Sequence, residues 1–180
     1  VLIPPALKLP IVDFMTTPPP ATTYSFSTTL LELISLAGLE STLGGDGPFT
    51  LFAPTEVAIQ QMETNSPGTL NFLRDPANKA TLTSLLSYHA VSDLVLSATL
   101  MGASSIVSLD GSTLSVTVQG SSPVINGNAN IVGSDIIARN GIIHIVDAVI
   151  LPAATLPPTT TPNSSPSALP TPNPTPNPSA

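Results

Sequence analysis

The 180-residue sequence predicts an α+β domain flanked by proline-rich segments, and three observations carry that prediction. Apolar residues recur at helical spacing between Phe26 and Leu86. From Tyr88 onward the apolar period shortens to two, the repeat of a half-buried strand. Two segments about ninety residues apart, Phe49 to Ile59 and Asn140 to Pro152, each read as a buried strand with a fixed exit. Helices first and strands later argue for α+β packing rather than an alternating α/β order.

The elements follow in chain order. Ser25 or Ser27 can cap a first helix, whose apolar positions Phe26, Leu30, Leu33, Ile34 and Ala37 fall on one face. Gly38 ends it. Gly44-Gly45-Asp46-Gly47 turns the chain into the first strand, which stops at Ala53-Pro54, and Thr55 is placed to cap the next helix. Short helices are expected near Glu56 to Met62 and Thr69 to Leu73. A longer one near Pro76 to Ser87 turns Leu82, Leu85 and Leu86 inward.

Beyond Tyr88, Ser105 to Leu109 precedes Asp110-Gly111, a hairpin signal. Thr113 to Val118 alternates as a half-buried strand should. Further strands are expected at Val124 to Asn126, Asn130 to Val132, Asp135 to Ala138 and Ile142 to Leu151, punctuated by Gly127, Gly133 and Gly141.

Composition excludes several function classes. Only 8% of residues are charged, the formal net charge is −7, and Lys8, Arg74, Lys79 and Arg139 are the only basic residues. Nucleic-acid binding and electrostatic docking on anionic membranes both need clustered cations, so neither is expected. Cysteine is absent, which removes disulfides, zinc–thiolate sites and thiol catalysis. No apolar run approaches the ~18 residues of a membrane span. The sequence reads as a mature fragment, with any signal or membrane anchor expected outside it.

Two blocks and a pair between them, in order, resemble a known family. Thr50-Leu51-Phe52-Ala53-Pro54-Thr55-Glu56-Val57-Ala58-Ile59 is similar to the "TVFAPT-acidic-x-AF" block near the start of fasciclin-type adhesion domains. Asn140-Gly141-Ile142-Ile143-His144-Ile145-Val146-Asp147-Ala148-Val149-Ile150-Leu151-Pro152 is similar to their closing "NGVIHVID-x-VLLP" block, and Tyr88-His89 stands where the family has a Tyr-His pair. Ile59 departs from the usual aromatic residue but keeps the site apolar. The resemblance covers roughly Thr23 to Ala154 and implies a strand-rich β-wedge or sandwich with several helices packed on it.

Three segments are expected. Residues 1–22 read as the end of a preceding repeat plus a proline-rich linker, because Val1-Leu2-Ile3-Pro4-Pro5-Ala6 echoes Val149-Ile150-Leu151-Pro152-Ala153-Ala154. An apolar segment that merely packs on the domain is the other reading. Residues 23–154 form the fasciclin-like domain. Residues 155–180 contain nine prolines and no charge, a composition expected to stay disordered and extended, on the order of 80 Å in polyproline II. Thr-Pro, Ser-Pro and Asn-Pro steps there resemble the glycosylated hydroxyproline-rich regions of plant and algal fasciclin-like arabinogalactan-type proteins. Asn163-Ser164-Ser165 is an N-glycosylation acceptor.

No catalytic, cofactor or metal site is expected. His89 and His144 are the only histidines, no Gly-x-Ser-x-Gly elbow exists, and Asp147 falls on the opposite strand face from His144. His144 shares a face with Ile142 and Val146 and is expected buried and hydrogen-bonded. Partner contact has four candidate residues. In the family, a pair at the position of Tyr88 and His89 is linked to core integrity and to receptor-mediated adhesion; the structural reading is preferred here. An Asp-Ile pair at the position of Asp135 and Ile136 belongs in animal relatives to proposed integrin-recognition motifs. The preferred reading is that Asp135 caps a turn and Ile136 fills the core. Asn126-Gly127-Asn128-Ala129-Asn130 offers amides suited to sugar hydroxyls, or an ordinary hairpin turn.

The resemblance implies an extracellular, secreted or cell-surface domain, one of a tandem set, that organises adhesion or matrix by binding protein or polysaccharide. Homophilic contact is one form of this. The alternative is a monovalent carbohydrate-binding module tethered to a cell wall or an enzyme.

Overall fold

The computed structural model describes residues 9–16 and 26–151. The repeat echo at residues 1–6, the stalk at 155–180 and Asn163 lie outside these residues. Among the described residues, seven α-helices and seven strands alternate unevenly, with helices concentrated in the first half.

Local signals explain most of the helices. Ile11–Thr16 (α1) opens the described chain, followed by Thr28–Ala37 (α2), Glu40–Leu43 (α3), Glu56–Asn65 (α4), Thr69–Arg74 (α5) and, after a 3-10 turn at Pro76–Asn78, Lys79–Tyr88 (α6). Ser27 caps α2 by accepting the Leu30 N–H at 3.1 Å, and Gly38 closes it with φ 76°. Thr55 caps α4 in the same way through Ala58 N–H. The two caps are tied together. The Glu56 carboxylate accepts from Ser27 Oγ at 2.5 Å and Thr29 Oγ1 at 2.9 Å, and these bonds, Ser27 first, outweigh burial and hold its pKa below the usual value.

The strands form one mixed sheet. They run Phe49–Pro54 (β1), Ala90–Val91 (β2), Ser105–Val107 (β3), Thr113–Gln119 (β4), Ser122–Ile125 (β5), Ala129–Ala138 (β6) and Gly141–Val146 (β7), ordered β2-β1-β7-β6-β5-β4-β3. Only β1 and β7 pair in parallel. Leu109 N–H donates to the Ala90 carbonyl at 2.6 Å, drawing the two edges of the curled sheet together.

The two sequence blocks are therefore neighbouring central strands. Every residue of β7 is buried, which is why the run has no polar alternation. Leu51, Ala53 and Ile143 face the helices, joining Leu30, Ile34, Ile59 and Leu82 in one core. Phe52 and Val146 face a second core with Leu100, Leu114, Val116 and Ile125. Ile59, the departure from the family pattern, is 2% exposed. Helix α1 lies N-terminal to Thr23, yet Ile11, Phe14 and Met15 are buried in the helix-side core, and Phe14 meets Phe26 edge-on at 6.0 Å.

The Asn-Gly turn before β7 acts as a clasp. Asn140 Nδ2 donates to the carbonyls of Leu43 and Gly45, both at 2.7 Å, and Oδ1 accepts the Ile11 N–H at 2.9 Å. One buried side chain thus joins α1, the loop after α3 and the sheet. Gly141 is required beside it, because a Cβ there would overlap the Phe49 carbonyl across the parallel pairing.

The structure corrects several expectations. The segment after Tyr88 is not purely strand-like: Ser97–Gly102 forms a helix (α7). Its preceding residue is Leu96, which cannot cap, so the local start signal is missing. Glu40–Leu43 is also helical. Asn130 to Val132 and Asp135 to Ala138 are one strand, bulged around Gly133 to Ile136, where Asp135 takes φ 57°. The closing strand stops at Val146, since Asp147 turns to accept from Asn130 N–H and Nδ2 at 2.8 and 2.9 Å. The hairpin stands as expected. Asp110 accepts from Ser108 Oγ and Ser112 N–H, and Gly111 supplies φ 86°.

Candidate functional site

Residues 93–97 leave β2 and lead into α7, and side chains from three strands pin them. Thr50 Oγ1 donates to the Asp93 carbonyl at 2.6 Å and accepts the Val95 N–H at 2.9 Å. His144 Nε2 lies 2.7 Å from the Val95 carbonyl, so it carries the proton and donates there. The Asp135 carboxylate accepts the Ser97 N–H at 2.8 Å and the Ser97 hydroxyl, supplying from β6 the cap that α7 lacks locally.

Pinning this segment fixes what it shows to solvent. Val95 is buried, while Leu94 and Leu96 on either side are 48% and 41% exposed. Ile137, on β6, is 51% exposed and lines the same cleft as these two leucines. Pro48 and, among the polar residues, Asp46 and Arg139 also line this cleft, of about 440 Å³. Exposed apolar side chains grouped around one cleft are what protein-contact surfaces present.

His144 is the hub beneath the cleft. It is fully buried and stacks on Phe52 at 5.5 Å, and its Nδ1 accepts the Asp135 N–H at 3.3 Å. Burial pushes its pKa down, against the pull of the Val95 carbonyl and the Asp135 charge. Asp135 is also shifted down. Burial would raise its pKa, but the hydrogen bonds from Ser97 and the proximity of His144 together outweigh it. His144→Ala is expected to cost on the order of 1–3 kcal/mol, because the Val95 carbonyl and Asp135 N–H lose their partner. A melting temperature unchanged by that substitution would contradict this role.

The sequence-level candidates separate by burial. Tyr88, at 6% exposed, ends α6 inside the second core, and its hydroxyl accepts from Asn126 Nδ2 at 2.9 Å. His89, at 2% exposed, spans α6 and the closing segment: Nδ1 donates to the Leu85 carbonyl at 2.8 Å, and Nε2 accepts the Ile150 N–H at 2.9 Å. Desolvation lowers its pKa to about 4. Asp135 is half-buried with both carboxylate oxygens engaged by Ser97, and half-buried Ile136 packs against the helix-side core. Sequence reasoning did not single out Leu94, Leu96 or Ile137. Their residue types also occur at core positions, so no local signal distinguished them.

Both ring nitrogens of each histidine are engaged by backbone, and Asp147 bonds Asn130 rather than His144. Among the described residues no three His, Asp or Glu side chains are grouped to hold a metal ion, and no helix is long and apolar enough to cross a membrane.

Comparison with known proteins agrees with this architecture. The Fasciclin domain family model matches residues 25–152, and the chain belongs to that family. Protein sll1483 of Synechocystis sp. is 35% identical over 124 residues, covering 69% of this chain and 66% of that protein. Human periostin is 36% identical over 110 residues, 61% of this chain but 13% of periostin. In three dimensions a FAS1 domain pair from the insect cell adhesion molecule Fasciclin I matches with TM-score 0.68 at 18% identity, covering 80% of this chain and 51% of that one. The chain thus carries an adhesion-type domain and spans only part of these relatives.

Proposed function

We propose that the chain is an extracellular adhesion or matrix-organising module that binds a cell-surface or matrix protein, without catalysis, through the cleft between Leu94, Leu96 and Ile137. The observation that carries this reading is the pinned 93–97 segment. Five hydrogen bonds from Thr50, His144 and Asp135 hold it so that two leucines face solvent beside an exposed isoleucine. A pre-ordered apolar surface loses little conformational freedom on binding, which favours affinity. Membership of the Fasciclin domain family supports the same reading.

In this reading the four sequence candidates act from beneath the surface. Asp135 positions Leu96 through Ser97, Ile136 anchors the strand that carries Ile137, and Tyr88 and His89 support the scaffold. The proline-rich 155–180 segment, with its acceptor at Asn163, would serve as a glycosylated spacer. Attachment of cells to surfaces coated with the full chain tests the function. Attachment that rises with coating density is expected. None at any density, beside hydrolysis of ester or glycoside substrates, would overturn it.

A further inference from the structure

A second cleft, of about 230 Å³, opens between the C-terminal end of α4, the β5–β6 turn and the segment after β7. Its polar lining is Gln61, Asn65, Ser66 and Asn128, and none of its lining residues is charged. Buried Met62 and Val149 lie among its apolar residues. The carboxamides are placed by the fold. Gln61 and Asn65 are four residues apart on α4 and share a face. Asn128 closes a turn in which Asn126 and Gly127 take φ 51° and 72°, and its N–H donates to the Ile125 carbonyl at 3.2 Å.

The three asparagines of this turn have different tasks. Asn126 spends its amide on Ser115 and Tyr88, and Asn130 donates its amide to Asp147. Gln61, Asn65 and Asn128 are exposed, and among the described residues their side chains have no hydrogen-bond partner, so each carboxamide can both donate and accept.

The geometry points to a binding site for one ring of a neutral oligosaccharide. Carboxamides pair with sugar hydroxyls as both donors and acceptors, and the apolar floor suits the C–H face of a pyranose. The uncharged lining disfavours phosphate, sulfate and uronate groups. The cleft lies below the roughly 300 Å³ where sites for drug-sized ligands begin, which fits a single ring. It shares no residue with the Leu94–Ile137 cleft, so either proposal can fail alone.

The test is an NMR titration of the full chain with the methyl glycosides of glucose, galactose, mannose and N-acetylglucosamine and with their linear oligomers. At least one sugar series is expected to shift the side-chain amide signals of Gln61, Asn65 and Asn128 saturably. The double variant Gln61→Ala, Asn128→Ala is expected to weaken that binding about tenfold or more while the melting temperature holds. No saturable shift at these residues up to roughly 0.1 M of any sugar would overturn the site. So would equal binding by the folded double variant, or tighter binding of heparin fragments at the same residues.

Discussion

Asn140→Ala is expected to remove roughly 3–5 kcal/mol of folding stability. The residue is 5% exposed and its side chain makes three hydrogen bonds to backbone groups. Its loss strands the carbonyls of Leu43 and Gly45 and the N–H of Ile11. Leaving one such buried group unpaired costs about 1–3 kcal/mol. These bonds join three pieces of chain far apart in sequence, so the loss spreads to the docking of α1 and the entry into β1. Urea unfolding of the variant should show a much lower midpoint at an unchanged slope. A loss below about 1 kcal/mol would mean that water takes over the amide's bonds and that Asn140 is no clasp.

Acid should weaken the domain between pH 6.5 and 4, and His89 sets that window. Its pKa falls from 6.5 to about 4 on burial. The unfolded chain therefore binds a proton in this range that the folded one refuses. Stability is fully present above pH 6.5 and is lost as pH falls towards 4, by about 3 kcal/mol at 1.36 kcal/mol per unit. His144 is shifted in the same direction and adds to the slope. The lowered carboxylates Glu56, Asp110 and Asp135 act in the same sense only at lower pH, as they are protonated below their ordinary range. Urea midpoints measured at pH 7, 5.5 and 4.5 should fall steadily. Equal midpoints across that range would show that burial does not lower the His89 pKa.

The sequence read well wherever the physical signal was local. Ser27, Thr55 and Gly38 cap or close the helices they flank, and Asp110-Gly111 makes its hairpin, because each acts within four residues of its own position. The two family blocks were legible as buried strands, although their parallel pairing was not, since nothing local marks it. Helix α7 was missed for the opposite reason. Its cap is Asp135, thirty-eight positions from Ser97, and no sequence window holds both. The same separation hid the bond between Asn126 and Tyr88. Asp135 was singled out, but its work of setting Leu96 at the rim of a cleft became visible only in three dimensions. Leu94, Leu96 and Ile137 could not be told from core residues, because exposure is a property of the packed sheet.

Attachment of cells to surfaces coated with the full chain, wild type beside the double variant Leu96→Asn, Ile137→Asn, tests the central claim most directly. Both positions are substantially exposed, so the melting temperature should move little. Attachment is expected to be lost in the variant while it remains folded. Equal attachment by a folded variant would contradict the assignment of this cleft as the adhesive surface.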